Sequence, residues 1–199
     1  MVKEGLPFVI VPLFAALGFL FFGFWIAAVV FFLLSAFMAY FFRDPKRKIP
    51  EETGLILSAA DGRVTRIEEN ENGKLVSVFL SPLNVHINRA PIAGRIEKIE
   101  YIPGKKYPAT NDKSSLLNER NSLTIVGENM TVVCTQIAGI LARRIVCWNK
   151  EGDNLESGQK FGMIKFGSRT DLLMPSFVEV QIQLGDRVVG GETIIARLT

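Results

Sequence analysis

The sequence predicts a mainly β protein: a compact β-sandwich-like domain preceded by an N-terminal α-helical membrane anchor. Three observations carry that prediction. No charged residue occurs between Leu6 and Phe42. After Pro50 the chain falls into short Val- and Ile-rich runs bounded by Gly, Asn, Asp and Pro, the pattern of strands and turns. Two of those runs, "RIEKIEYI" and "VEVQIQL", alternate strictly between apolar and polar residues, as half-buried strands do.

The apolar segment comes first and raises the mean hydropathy to +0.25. As one helix at ~1.5 Å per residue it would be about 55 Å long, against a hydrocarbon core of roughly 30 Å. Tilting it to fit would exceed the usual limit of about 40°. Two short spans, or a re-entrant hairpin breaking near Gly18 and Gly23 in "LGFLFFGFW", fit better than one span with an apolar overhang. Its length, and a flank "FFRDPKRKIP" with no small-residue cleavage site, argue against a signal peptide. That flank sets Arg43, Lys46, Arg47 and Lys48 against Asp44 alone. By the positive-inside rule the rest of the chain is cytoplasmic, and the basic cluster suits anionic lipid head groups. The anchor is placed at 1–46 and one β-rich domain at 47–199, near the usual domain size.

Within that domain the expected strands are "GLILSA", "RVTRIEE", "KLVSVFL", "GRIEKIEYI", "SLTIVG", "MTVVCTQIA", "LARRIVCW", "FGMIKF", "FVEVQIQL" and "TIIARLT". Asn72-Gly73 in "ENENGKL" is a hairpin-turn dipeptide. The polar stretch 103–121 reads as a long loop, with a helical turn at "SSLLNE" and a role as a cover over a site. The net charge of +3 is too small and too dispersed to indicate nucleic acid as a partner. Cys134 and Cys147 lack metal-ligand spacing and lie in apolar runs, so they read as buried thiols, and no metal is expected.

The chain also echoes itself. "RAPIAGRIEKIEYIPGKK" resembles "TQIAGILARRIVCWNKEGD", and "GDNLESG" (152–158) returns as "GDRVVGG" (185–191). Similar half-motifs build the flattened sandwich of lipoyl and biotinyl carrier domains. The carriers' modified lysine turn is absent, so cofactor carriage is not supported, and Gly-Asp turns are in any case what compact antiparallel sheets need.

Chemistry gathers around few residues. His86, the one histidine, lies in "FLSPLNVHINRAP" among Asn84, Asn88 and Arg89. Imidazole is the usual proton carrier near neutral pH, although a lone histidine is more often structural. Asp61, in "SAADGRV", reads either as an Asp-Gly turn or as the acid that orients a histidine base. Gly167-Ser168, in "KFGSRTD", lacks the glycine spacing of a phosphate loop and the second glycine of a nucleophile elbow, and as a plain turn it is unremarkable.

In this order and near these spacings, "SAADGRV", "FLSPLNVHINRAP" and "FGSRTDLLMP" resemble the short form of the phosphatidylserine decarboxylase family, known in bacteria and archaea. The resemblance covers nearly the whole chain. It implies a proenzyme that cuts itself between Gly167 and Ser168. Ser168 Oγ would attack the Gly167 carbonyl, with His86 as base and Asp61 orienting it. Elimination would leave a large chain, 1–167, and a small chain, 168–199, whose first residue has become a covalent pyruvoyl cofactor. The substrate amine would form a Schiff base with that ketone, lose carbon dioxide and be reprotonated. A membrane phospholipid substrate is implied, phosphatidylserine or its ether-lipid equivalent archaetidylserine, giving the corresponding ethanolamine lipid, with a homodimer compatible. Longer members carry a second histidine where Arg89 stands here. Arg89, Arg169 and Thr170 are accordingly candidates for gripping the head group, with a solvated strand end as the bland alternative for the last two. Two other readings stay open. One is a non-enzymatic, membrane-tethered β-sandwich adaptor. The other is a serine hydrolase whose chain stays whole.

Overall fold

The computed structural model describes residues 1–104, 117–139, 144–165 and 168–198, and for Ser168 the backbone only. The chain forms two compact units, Met1–Lys46 and Arg47–Thr199.

The first unit is a helical hairpin. A 3-10 turn (Lys3–Gly5) leads into α1 (Leu6–Phe21), and α2 (Trp25–Phe41) follows. The chain reverses at Gly23, whose φ of +80° suits a residue without Cβ. Gly18, the other expected break, stays inside α1. Pro7 falls in the first turn of α1, where its missing N–H costs no helical bond. The Ser35 hydroxyl donates to the Val9 carbonyl 2.8 Å away, so the one polar side chain of α2's apolar middle is satisfied by the other helix. Phe14, Leu17, Leu20, Phe21 and Trp25 are exposed, the reverse of a soluble helix pair. Lys3–Phe21 is long and apolar enough to cross a membrane, and Trp25–Phe41 is a shorter apolar helix.

The second unit is mostly strand among the described residues. In chain order these are β1 (Leu55–Leu57), β2 (Gly62–Asn70), β3 (Gly73–Leu80), β4 (Ile87–Arg89), β5 (Gly94–Ile102), β6 (Arg120–Val126), β7 (Thr131–Ala138), β8 (Arg144–Cys147), β9 (Asn154–Leu155), β10 (Lys160–Lys165), β11 (Ser168–Met174), β12 (Val178–Val180), β13 (Arg187–Val188) and β14 (Ile194–Leu198). An eight-stranded sheet runs β13-β2-β3-β11-β7-β6-β5-β9, with three-stranded sheets β4-β10-β8 and β1-β14-β12 beside it. One apolar core joins all three, from Ile56, Val76 and Leu80 to Leu123, Phe161 and Ile195. The architecture is the expected β-sandwich-like one.

Most expected strands are present, and the differences have physical causes. The β2–β3 hairpin turns on Glu71-Asn72, one residue earlier than the Asn-Gly signal. The Asn70 side chain accepts the Asn72 N–H at 2.9 Å, and Gly73 opens β3 with φ +123°. The alternation in β5 slips at a bulge between Ile96 and Lys98. "FVEVQIQL" pairs as a ladder only over β12. The sequence hid the short strands β4, β9 and β13 and the longer β11. Its polar run Arg169-Thr170-Asp171 looks like a loop, yet all three residues are buried. Both cysteines are free, as expected, but only Cys134 is buried and Cys147 is half-buried. Most of the 103–121 loop, with its helical turn and cover role, lies outside the described residues.

Backbone bonds also correct the internal echo. Leu57 N–H donates to Pro91 O at 2.8 Å while Arg89 N–H donates to Ala59 O at 2.9 Å. Gly191 and Gly158 N–H donate to Ser58 and Ala90 carbonyls, both at 2.8 Å. Val64 and Ile96 N–H donate to Asp186 and Asp153 carbonyls, both at 2.9 Å. The counterpart of "RAPIAGRIEKI" is therefore "LSAADGRVTRI" (57–67), each carrying its own Gly-Asp turn from later in the chain. The "GDNLESG"/"GDRVVGG" echo is the same relationship seen from the other side.

Candidate active site

Two connections leave the large sheet for the small sheet β4-β10-β8 at the same place. One is the loop Ser81–His86, between β3 and β4. The other is residues 166–167, between β10 and β11. Ser168 pairs with Leu80 at the end of β3 on one side and with Ala138 at the end of β7 on the other. Met163 pairs with Ile87, and Ile164 N–H donates to the His86 carbonyl at 3.1 Å. Both ends of the histidine loop are thus laced to the strands that flank 166–167. Strand register thus sets the loop that carries His86 and the start of β11 at Ser168 on neighbouring strands. The Ser168 backbone pairs between Leu80 and Ala138, both fully buried. Gly167 and the Ser168 side chain lie outside the described residues.

The histidine loop is pre-shaped. Asn84 Oδ1 accepts the Ser81 N–H at 2.9 Å and the Ser81 hydroxyl at 2.7 Å, while Asn84 N–H returns to Ser81 O at 2.9 Å. This closes a tight polar turn. The Asn84 carbonyl then lies 2.9 Å from His86 Nδ1. A carbonyl has no proton to give, so Nδ1 carries the hydrogen and Nε2 the lone pair of the neutral ring. His86 is 1% exposed. A buried imidazole with its tautomer set by a backbone carbonyl is arranged as a base at Nε2.

Asp61 does not make that orienting contact. Its carboxylate accepts from Arg47 Nη2 at 2.9 and 2.8 Å and from Gly190 N–H at 2.9 Å. The pair is largely buried, at 9% and 14% side-chain exposure. Arg47, expected among the lipid-facing basic residues, is turned into the β unit instead. The Asp-Gly turn does not require the acid, because in the duplicate half the same turn is made by Ala93-Gly94. Asp61 lines a cavity of about 550 Å³ together with Ser81 and Asn84, and so faces the histidine loop across it.

The three residues expected at the head group are buried and engaged. Arg89 donates to Gly158 O at 3.0 Å and passes over Gly191, where φ of +79° and the guanidinium stem leave no room for a side chain. Arg169 forms a two-point ion pair with Asp171, 2.8 and 3.0 Å. Thr170 Oγ1 accepts from Asn88 Nδ2 at 2.9 Å. Asn88 Oδ1 in turn accepts from Gln136, whose Oε1 accepts from Asn121, at 2.9 and 3.0 Å. Every polar side chain in this chain is at most 3% exposed. It ties β4, carrying the histidine loop, to β11, which opens at Ser168. Neither the solvated-strand reading of Arg169 and Thr170 nor a direct grip through their present partners describes these contacts. Sequence reading gave Asn84 and Asn88 only as polar neighbours of His86 and Arg47 only as a lipid-facing cation, and it missed Gln136. Only Asn84 had a local signal, the Ser-x-x-Asn turn.

Known proteins share this pattern over almost the whole chain. A family model described as phosphatidylserine decarboxylase matches residues 34–196. The phosphatidylserine decarboxylase proenzyme of Symbiobacterium thermophilum is 46% identical over 204 residues, covering 98% of this chain and 94% of its own. That of Nitratidesulfovibrio vulgaris is 45% identical over 203 residues, covering 98% and 93%. That of Gluconobacter oxydans is 50% identical over 177 residues, covering 82% and 78%. With the family model spanning the histidine loop, the β10–β11 junction and Asp61 alike, the chain belongs to the phosphatidylserine decarboxylase family.

Proposed function

We propose that this protein is a pyruvoyl-dependent carboxy-lyase that removes carbon dioxide from the serine head group of phosphatidylserine, leaving phosphatidylethanolamine, after cutting its own chain between Gly167 and Ser168. The observation that carries the proposal is the lacing of the only histidine to both sides of that bond, through Leu80–Ser168 and His86–Ile164. The relatives' shared name, with its "proenzyme", supplies the substrate and the need for processing.

The chain's own residues supply the following steps. Ser168 Oγ attacks the Gly167 carbonyl and the acyl group moves from nitrogen to oxygen, giving an ester. His86 Nε2 accepts the hydroxyl proton, since Nδ1 already donates to Asn84, and passes it to the Ser168 nitrogen as that nitrogen leaves the Gly167 carbonyl. The same nitrogen then takes the Ser168 α-proton, and the Gly167 carboxylate leaves from the β-carbon. The dehydroalanine left at 168 takes up one water and releases one ammonia, which ends the small chain in a pyruvoyl group. Asp61, fixed by Arg47 and Gly190, lines the same cavity as Ser81 and Asn84 of the histidine loop.

Position 168 fits that group. It is a serine, it is backbone-paired on both sides, and its neighbours Leu80 and Ala138 are dry. A ketone held there supplies an electrophile for the substrate amine and a sink for the electron pair released with carbon dioxide. His86 returns a proton to the product carbon. Because the reacting site is buried between strands, water is excluded while that proton is delivered.

The helical hairpin serves as the membrane anchor, and the excess of Arg43, Lys46 and Lys48 after it supports a cytoplasmic β unit by the positive-inside rule. The test is an intact mass spectrum of purified protein. Two chains are expected, 1–167 and 168–199, the smaller one lighter than its sequence by one ammonia. Ser168→Ala should stay whole. Splitting of that variant at the same bond would overturn the serine chemistry.

A further inference from the structure

The mouth of the cavity that Asp61 shares with the histidine loop carries an unusual rim. Arg63 and Arg187 line it and are cross-strand partners on β2 and β13, so both project to one face of the sheet. Leu83, at the tip of the histidine loop, also lines it and is 62% exposed. Leu184 is 68% exposed on the turn Gln183–Asp186, and the Gly185 carbonyl of that turn accepts Arg63 Nη1 at 3.1 Å. Two leucines at loop tips therefore flank two arginines around one opening.

The internal duplication provides a control. The twin of the Gln183–Asp186 turn is Lys150–Asp153, with the same backbone bonds to Ile96 that the first makes to Val64. There Leu184 is replaced by Glu151, whose carboxylate accepts the Ile99 N–H at 2.8 Å, and Arg187 by Asn154. The turn itself needs neither a leucine nor an arginine. The acid on the Leu184 turn, Asp186, is engaged by Gln183 N–H at 2.8 Å. Leu184 and Arg187 are thus particular to the half that holds Asp61, while Arg63 has a counterpart in Arg95. A bare leucine tip favours an apolar medium, and a cationic rim favours a negatively charged one. An anionic bilayer leaflet offers both at the depth of its head groups.

We infer that this rim is a second membrane contact, in which Leu83 and Leu184 enter an anionic leaflet and Arg63 and Arg187 face its phosphates. The cavity mouth is thereby held against the surface that contains the substrate. A head group reaches the His86 loop without its acyl chains leaving the bilayer. This rests on the reading of the protein as acting on a bilayer phospholipid.

The test uses the full chain, processed and reconstituted in vesicles. One set is phosphatidylcholine alone and the other contains phosphatidylglycerol, an anionic lipid that is not a substrate. A polarity-sensitive fluorophore is placed at Leu83→Cys, Leu184→Cys or, as control, Glu151→Cys, in a Cys147→Ser background. A blue shift at 83 and 184 but not at 151, larger with phosphatidylglycerol and reduced by salt, is expected. Emission at 83 and 184 matching that at 151 in both vesicles would overturn the inference. So would a shift that appears in detergent and grows with protein concentration, since it would mark an interface with a second copy. In turnover, Leu184→Ser should lower the rate on phosphatidylserine in vesicles roughly fivefold, about the loss of 1 kcal/mol of surface attachment, and leave dispersed short-chain phosphatidylserine unaffected. Equal loss on both substrates would count against docking. Failure of the wild type to decarboxylate either substrate would refute the proposed reaction, while the fluorescence comparison would still decide the contact.

Discussion

Arg47 Nη2 lies 2.9 and 2.8 Å from the two carboxylate oxygens of Asp61, and the N–H of Gly190 completes the carboxylate at 2.9 Å. The first residue of the β unit is thereby fastened to the acid beside the histidine loop. The Arg47 Nε is buried without a hydrogen-bond partner, so the guanidinium is held by this one carboxylate at the cost of an unsatisfied N–H.

Removing Arg47 strands a mostly buried charge. Arg47→Ala should cost roughly 3 kcal/mol, a fall in Tm of about 6–12 °C for a domain of this size. Asp61→Asn, which keeps the shape and the Gly190 bond, should cost less stability but slow self-cleavage more. Thermal melting and the time course of chain splitting check the pair. Splitting at the wild-type rate in Asp61→Asn would remove the acid from the mechanism.

The tautomer of His86 depends on the Ser81–Asn84 turn. Asn84→Ala deletes the acceptor for both Ser81 donors and frees the carbonyl that holds Nδ1. Self-cleavage should slow by roughly tenfold for ~1.4 kcal/mol of lost positioning, while His86→Ala should abolish it. Asn84→Asp, which keeps the acceptor, should recover most of the rate. A rate unchanged in Asn84→Ala would show that the loop is set by its strands alone.

The Asn121–Gln136–Asn88–Thr170 relay is a buried network, and breaking it in the middle leaves unpaired groups on both sides. Asn88→Ala and Gln136→Ala should each cost about 2 kcal/mol. The double variant should cost about 1 kcal/mol less than their sum, because each deletion already orphans the other. Additive losses in denaturant or thermal unfolding would show that the two side chains do not communicate.

Burial pushes the Cys134 thiol far above its ordinary 9.0, and Cys147 is raised by the same cause to a smaller degree. In the folded chain iodoacetamide near pH 8 should modify Cys147 slowly and Cys134 not at all. The sign for stability follows. The folded state holds its Cys134 proton more tightly than the unfolded chain, so its contribution is complete below pH 9 and declines above it as only the unfolded thiol ionises. Peptide mapping after alkylation reads the first point and melting between pH 8 and 10 the second.

Local patterning in the sequence was enough for whatever depends on neighbours along the chain. The apolar run, the break at Gly23 and most of the strands follow from periodicity and from glycine's access to positive φ, which act within a few residues. The motif containing His86 and Ser168 was also legible, through its likeness to a family. Long-range pairing was not. The polar strand β11 is buried because β3 and β7 close on both its edges and Thr170 finds Asn88, a partner that no window of sequence contains. Arg47 was read as a lipid-facing cation, and the fold gave it to Asp61. Asp61 was read as the group orienting His86, and the fold gave that task to a carbonyl two residues away. Strand register sets Ser168 beside Leu80 and the His86 carbonyl beside Ile164, and register is decided by side chains meeting across a sheet. Those meetings exist only once the core around Leu80, Ala138 and Ile164 has closed.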